Sequence, residues 1–213
     1  MDSQAAAAPP KPTEIRAPYK GKWLHFMEMD LVAPSGKKFT WEYVKRPNAE
    51  EGVIKANGAT IIPISKQKPH KVIVEAIYRY PIGKYILELP SGLIDPGDKS
   101  VEESCTRELK EETGYVGEPA TPAPIALVGA MTDPWKSSEC DTMMAYSVDM
   151  EREENKNPKN ELEDEELIRV HVVSLSNLHD ELLALQKEHD YEIGEKIWSF
   201  ASGIRLSQAL SLN

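Results

Sequence analysis

Gly92-Leu-Ile-Asp-Pro-Gly-Asp-Lys-Ser-Val-Glu-Glu-Ser-Cys-Thr-Arg-Glu-Leu-Lys-Glu-Glu-Thr-Gly-Tyr115 is the stretch that decides the fold of this 213-residue chain. It reads as a glycine-bounded loop feeding one short helix. Ser100 is a good N-cap, and Glu103 three residues on completes a capping box. Gly114 stands where a left-handed residue closes a helix. Nothing between those caps is Gly or Pro, so the spacing predicts one uninterrupted helix.

The helix puts its charges in unusual places. At about 100° per residue, Val101, Cys105 and Leu109 form one apolar stripe. Glu112 projects between Val101 and Cys105, and Glu108 falls just beside them, whereas Glu103, Thr106, Arg107 and Lys110 take the opposite, solvent-like face. Glu108 has Glu111 and Glu112 as i+3 and i+4 neighbours, and like charges so spaced oppose a helix by roughly 0.2–0.5 kcal/mol per pair. Setting two of them beside a buried stripe costs more unless something positive compensates. A hard divalent cation does so, because Mg²⁺ favours carboxylate oxygens and keeps waters for a phosphate-bearing substrate. A solvated acidic face partnered by Lys110 and Arg107 is the bland alternative, and the carboxylates lie on the wrong side for it.

Gly92, Arg107-Glu108-Leu109, Glu111-Glu112 and Gly114-Tyr115 together resemble the signature of the Nudix hydrolases. Asp98 stands at the family's mid-loop glutamate, and one extra residue falls in the loop around Gly97 to Lys99. The resemblance implies a Nudix α/β/α sandwich with a mixed sheet over residues 57–213, preceded by a small antiparallel strand domain over 16–56 and a flexible tail over 1–15. That N-terminal elaboration is similar to the ADP-ribose pyrophosphatase branch of the family.

Composition fits this frame. Apolar residues make up 40% of the chain, enough for a core, and nothing approaches an 18-residue apolar run. The start of the chain lacks a basic region and an apolar core long enough for a signal peptide. Two cysteines, Cys105 and Cys140, make no disulfide framework, which leads to an expectation of a reducing compartment, cytoplasmic or also nuclear. A net charge of −10 argues against nucleic acid as the main partner.

The rest of the chain alternates strands with helices. Residues 22–33 and 38–46 flank the turn Pro34-Ser35-Gly36 and predict a hairpin. Polar residues 48–57 lead on to strands at Ala59–Ile64, Lys71–Tyr78 and Tyr85–Leu89. Further strands follow at Ile125–Met131, Thr142–Val148 and Leu167–Leu175. Amphipathic spacing predicts helices over Leu178–Lys187 and Ile193–Leu210. Residues 150–166, almost wholly polar, read as a mobile loop.

Trp23 and Trp41 are not directly opposite in the register the turn implies, and each by itself is consistent with sheet packing. The resemblance gives them a second reading, stacking adenine between hairpins of different subunits, which requires a homodimer with shared sites. It also makes Arg46 and Arg79 phosphate clamps, a role that guanidinium forks suit, with surface ion pairs as the alternative. By the same likeness Glu108, Glu111, Glu112 and the Ser91 carbonyl hold Mg²⁺, or Mn²⁺ in its place, and Arg107 orients the set through Glu111. Glu166 is the general base, with Glu165 or Asp164 as rivals. The loop Asp133-Pro134-Trp135 reads as a lid over the ribose, with Trp135 as a packing residue the alternative. The expected reaction is hydrolysis of ADP-ribose, a small-molecule nucleotide sugar, to AMP and ribose 5-phosphate. Alternatives are another nucleotide sugar, an oxidised nucleoside diphosphate, or a non-catalytic ADP-ribose sensor. Neither nucleic acid nor a membrane is expected as a partner.

Overall fold

The computed structural model describes residues 9–47, 49, 56–121 and 126–211. The chain divides into two units. One draws on Met1–Ala56 and Gly129–Cys140, the other on Asn57–Val128 and Asp141–Asn213.

The first unit holds a three-stranded antiparallel sheet in the order β1 (Pro12–Lys20), β2 (His25–Val32), β3 (Lys38–Lys45). The expected hairpin forms, with Gly36 at a φ of 82°, a left-handed value that glycine adopts without steric cost. The expected tail is corrected over Pro12–Ile15, which belongs to β1 and pairs with β2. Its polar composition hid a strand held partly by side chains: Arg16 bonds Glu28 and Asp30, both at 2.6 Å. Residues 1–8 and most of the 48–57 connector lie outside the described residues. The Gly129–Cys140 segment supplies an edge to β3, where the Val44 N–H donates to the Lys136 carbonyl at 2.8 Å.

The described residues also form a nine-stranded mixed sheet, most of it from the second unit. Its main path is β12 (Glu192–Ile193), β6 (Lys84–Glu88), β5 (Lys71–Arg79), β4 (Gly58–Ser65), β10 (Cys140–Val148), β8 (Gly117–Pro119). Off that path β11 (Ile168–Ser174) pairs with β5, β7 (Ser91–Leu93) with β4, and β9 (Ala126–Met131) with β10. The β10–β4 and β12–β6 pairs are parallel. The pairings of β5 with β4, β6 and β11, of β4 with β7 and of β10 with β8 are antiparallel. Ile125, at the start of an expected strand, lies outside the described residues.

Both faces of the sheet are covered by helices. On one face α3 (Leu178–His189) and α4 (Glu195–Ala209) bury Leu178, Leu182, Ile197 and Ala201 against Ile62, Val72, Val74, Ala76 and Leu87. On the other, α1 (Val101–Thr113) buries Cys105 and Leu109 against Ala59, Ile61, Ile73, Met144 and Tyr146. Strand alternation makes this division: residues 72, 74 and 76 of β5 go to one core and Ile73 to the other. Cys105 and Cys140 are both buried, and neither is in a disulfide.

The segment 150–166, expected to be a mobile loop, is mostly exposed but anchored at points along its length. It contains the short helix α2 (Glu153–Lys156), and Asn155 is buried. The Asn155 amide donates to the carbonyls of Val116 and Asp149, each at 2.8 Å, and accepts from the Val116 N–H at 2.7 Å. Further along, the Glu161 N–H caps the Glu111 carbonyl at 2.8 Å. Polar composition signals missing apolar burial, and here side-chain hydrogen bonds do the anchoring.

Candidate active site

The helix α1 forms as its sequence dictates. Ser100 accepts from the Glu103 N–H at 3.3 Å, and Glu103 reaches back to the Lys99 N–H at 2.7 Å. Gly114, at a φ of 75°, donates its N–H to the Lys110 carbonyl. With Cys105 and Leu109 fixed in the core, the helical period carries two acids inward: Glu108 is 8% and Glu112 3% exposed. Arg107 departs from the solvent-like face assigned to it. It folds over the carboxylates, donating to Glu108 at 2.8 Å, Glu111 at 3.0 Å, Asp98 at 3.1 Å and the Leu93 carbonyl at 3.2 Å. It fixes the loop acid and the helix acids together.

The glycine at the head of the loop has a steric reason. A Cβ on Gly92 would stand 2.5 Å from Glu108 Oε2, with the other carboxyl atoms nearer still. Beside it, the Ser91 N–H donates to Glu112 Oε2 at 2.8 Å. This bond sets the Ser91 backbone beside the helix acids.

β5 contributes a residue that the sequence reading missed. Two positions beyond Ile73, on the same face, stands Glu75, which is 0% exposed. Neither of its carboxylate oxygens has a hydrogen-bond partner among the described residues. Glu88 of β6 lies directly across the ladder from it. Arg79, four positions along the same face, pairs with Glu88. The available signal was a single acid inside the otherwise apolar run Lys71–Tyr78, on the strand face that ends in Arg79.

These carboxyls repel one another in a place that water barely reaches. Burial lifts Glu112 well above the ordinary carboxyl range, and Glu75 and Glu108 lift it further. Burial likewise raises Glu75, with Glu88, Glu166 and Glu108 adding to the effect and Arg79 opposing it. Glu108 is raised by burial against the opposing pull of Arg107. Asp98 is held low, at about 2, by hydrogen bonds from Arg107 and Ser104. Burial works against the Arg79 charge, and Glu88 more than offsets it.

Glu166 contributes to the field at Glu75, Glu108 and Glu112, so the structure brings it into the same electrostatic neighbourhood. One of its oxygens accepts the Glu163 N–H at 2.9 Å. Its neighbour Glu165 is held through its backbone carbonyl, which accepts the Tyr80 hydroxyl at 3.1 Å.

Ser91, Arg79, Arg107, Glu108, Glu111, Glu112 and Glu166 therefore fall in the second unit, and Trp23, Trp41, Arg46 and Asp133 in the first. Within that first unit Trp23 is exposed under the Lys22 ammonium, 4.5 Å from the ring centroid. Trp41 pairs with Met29 across the ladder, so the two tryptophans are not opposite. Trp41 Nε1 donates to the Trp135 carbonyl at 3.0 Å, Arg46 pairs with Glu139 at 2.7 Å, and Asp133 with Lys136 at 3.0 Å.

Among the described residues no three His, Cys, Asp or Glu side chains form a ready-made metal cage. The donor set nevertheless fits a hard divalent cation. It is all carboxylate, its buried members are driven toward holding protons, and Glu75 has no donor at all among the described residues. Arg107 and Arg79 offset these acids only in part, and burial still holds Glu75, Glu108 and Glu112 raised.

A mixed sheet clasped by helices, with a loop–helix that turns its glutamates inward, defines a Nudix-type hydrolase. Residues 55–196 match the NUDIX domain, and the chain belongs to that family. It is 29% identical over 188 residues to an ADP-ribose pyrophosphatase of Saccharomyces cerevisiae, covering 88% of this chain and 79% of that relative. It is 31% identical over 194 residues to an ADP-sugar pyrophosphatase of Mus musculus, covering 90% and 85% respectively. A solved structure described as an ADP compounds hydrolase matches with a TM-score of 0.63 over 95% of this chain and 96% of its own, at 18% identity. That last likeness is one of fold.

Proposed function

We propose that the protein hydrolyses the pyrophosphate bond of ADP-ribose to AMP and ribose 5-phosphate with the help of Mg²⁺, for which Mn²⁺ can substitute. The observation that carries this reading is the burial of Glu108 and Glu112 together with a Glu75 that has no hydrogen-bond partner among the described residues, an arrangement that a divalent cation would relieve. The names of the yeast and mouse relatives support the substrate class.

In this reading Glu108, Glu111 and Glu112 hold the cation, with the Ser91 backbone beside them. When bound, it neutralises charge on the phosphoryl oxygens and makes the diphosphate a better electrophile. Arg107 keeps two of the three carboxylates aimed, through its bonds to Glu108 and Glu111. Glu166 takes the proton of the attacking water, with Glu165 and Asp164 as rivals for that task. Arg79 and Arg46 clamp phosphate oxygens after giving up Glu88 and Glu139, the carboxylates they pair with here. Positioning and charge neutralisation supply most of the rate, because phosphoryl transfer leaves a protein little covalent chemistry to do.

Trp23 and Trp41 stack the base, Asp133 meets the ribose, and a homodimer shares its sites between subunits. The compartment is a reducing one such as the cytoplasm, consistent with two buried cysteines that form no disulfide. The mouse relative's name favours a second reading with the same chemistry and a wider range of ADP-sugars.

The test is the purified protein with ADP-ribose and Mg²⁺, products resolved by chromatography, beside Glu112→Gln. AMP from the parent and almost none from the variant is expected. No AMP from a folded parent sinks the substrate, and turnover of another ADP-sugar moves the reading to the second.

A further inference from the structure

Glu75 has no structural role that its surroundings explain. Buried polar side chains are ordinarily hydrogen-bonded, and leaving one bare in a core costs roughly 1–3 kcal/mol, more for a charge. Both Glu75 oxygens are bare among the described residues, and the nearby Arg79 is engaged by Glu88. Its face of β5 is the one packed by α1, so the side chain rises from the sheet toward Glu108 and Glu112. Each of those two acids interacts electrostatically with it. The remaining charged groups around it are Glu88 and Arg79 from the β5–β6 ladder and Glu166 from the segment before β11. Four acids and one already-paired arginine surround a bare, fully buried carboxylate on the strand face that α1 covers.

We propose that Glu75 is a fourth carboxylate of the cation site, binding the divalent cation from the sheet side while Glu108, Glu111 and Glu112 bind it from the helix. This rests on the reading above that the site holds a cation. A ligand on a strand deep in the sheet is also a rigid one, which favours a fixed coordination geometry over a flexible cage.

The test uses the full chain and Mn²⁺ as the probe, with free Mn²⁺ followed by electron paramagnetic resonance, and needs no turnover. Parent protein is compared with Glu75→Gln, Glu75→Asp and Glu112→Gln, and each is melted without metal. Glu75→Gln is expected to bind Mn²⁺ at least tenfold more weakly than the parent while melting, metal-free, at the same temperature or higher. Glu75→Asp, which keeps the charge and retracts the oxygens, is expected to fall between them. Should Glu75→Gln not fold, Glu75→Leu fills nearly the same volume with no polar atom and takes its place. Weak binding by Glu112→Gln with parent-like binding by the Glu75 variants overturns the proposal and leaves the cation site standing. A folded parent that binds no Mn²⁺ overturns both.

Discussion

Replacing Gly92 with Ala separates the two things the loop does, which are to fold and to aim a carboxylate. The added Cβ would stand 2.5 Å from Glu108 Oε2 and closer to the other carboxyl atoms. Ordinary contact needs roughly 3.5 Å, so the carboxylate must retreat by about 1 Å or more. It sits at the end of a flexible side chain, and the backbone can stay where it is. What is lost is the 2.8 Å bond from Arg107, a charge-assisted interaction worth about 1.5–3 kcal/mol. Arg107 keeps Glu111, Asp98 and the Leu93 carbonyl, so the stability loss belongs at the low end of that range. Turnover is far more exposed, because a misplacement of about 1 Å at a positioning group costs about 10²-fold. Steady-state kinetics with ADP-ribose and Mg²⁺, alongside thermal melts, should show a loss of about 10²-fold in kcat/KM with the melting temperature within a few degrees of the parent. Parent-like turnover would refute the assigned position of Glu108. A collapse in stability large enough to account for the lost activity would refute the claim that only the carboxylate moves.

Gly114→Ala should behave in the opposite way. It forces a φ of 75° on alanine and drives a Cβ to 2.5 Å from the Lys159 carbonyl carbon, which as backbone cannot yield cheaply. The left-handed conformation costs roughly 1–2 kcal/mol and the overpacking roughly 1–3 more, so urea denaturation should show a loss of about 2–5 kcal/mol. Asp98 predicts a pH signature. Its folded-state pKa, about 2, lies below the ordinary aspartate range. The Asp98–Arg107 interaction is therefore fully stabilising above about pH 4 and fades as pH falls toward 2. Comparing Asp98→Asn with the parent in denaturation series from pH 5 to pH 2 should show the two converging at the acid end.

The helix α1 and its acids were legible because local signals agreed: the caps at Ser100 and Gly114 bracket a run whose apolar period turns Glu108 and Glu112 inward. Glu75 was not, since one acid in an apolar strand looks like a solvent-facing residue until the strand is known to be covered on both faces. Arg107 makes the expected pair with Glu111, and only its projected solvent-like face differs, for a related reason. Helical projection gives the direction of a Cβ, whereas a long guanidinium chain goes where the carboxylates are. Segment 150–166 and strand β1 look mobile by composition, and both are held by side-chain hydrogen bonds between residues far apart in sequence, as Asn155 with Val116 and Arg16 with Glu28 show.

The edge that Gly129–Cys140 gives to β3 bears on how the chain comes into being. Arg46 finds Glu139 only 93 residues further along. At ribosomal rates of about 5–20 residues per second, that partner arrives roughly 5–20 seconds after β3 has left the exit tunnel. Until then the Val44 N–H has no Lys136 carbonyl to bond, and β3 is an open edge on which another nascent chain could template. A fragment cut at residue 56 would keep that edge permanently. The N-terminal sheet is early in sequence and late in completion, and chaperone engagement should fall on the interval between.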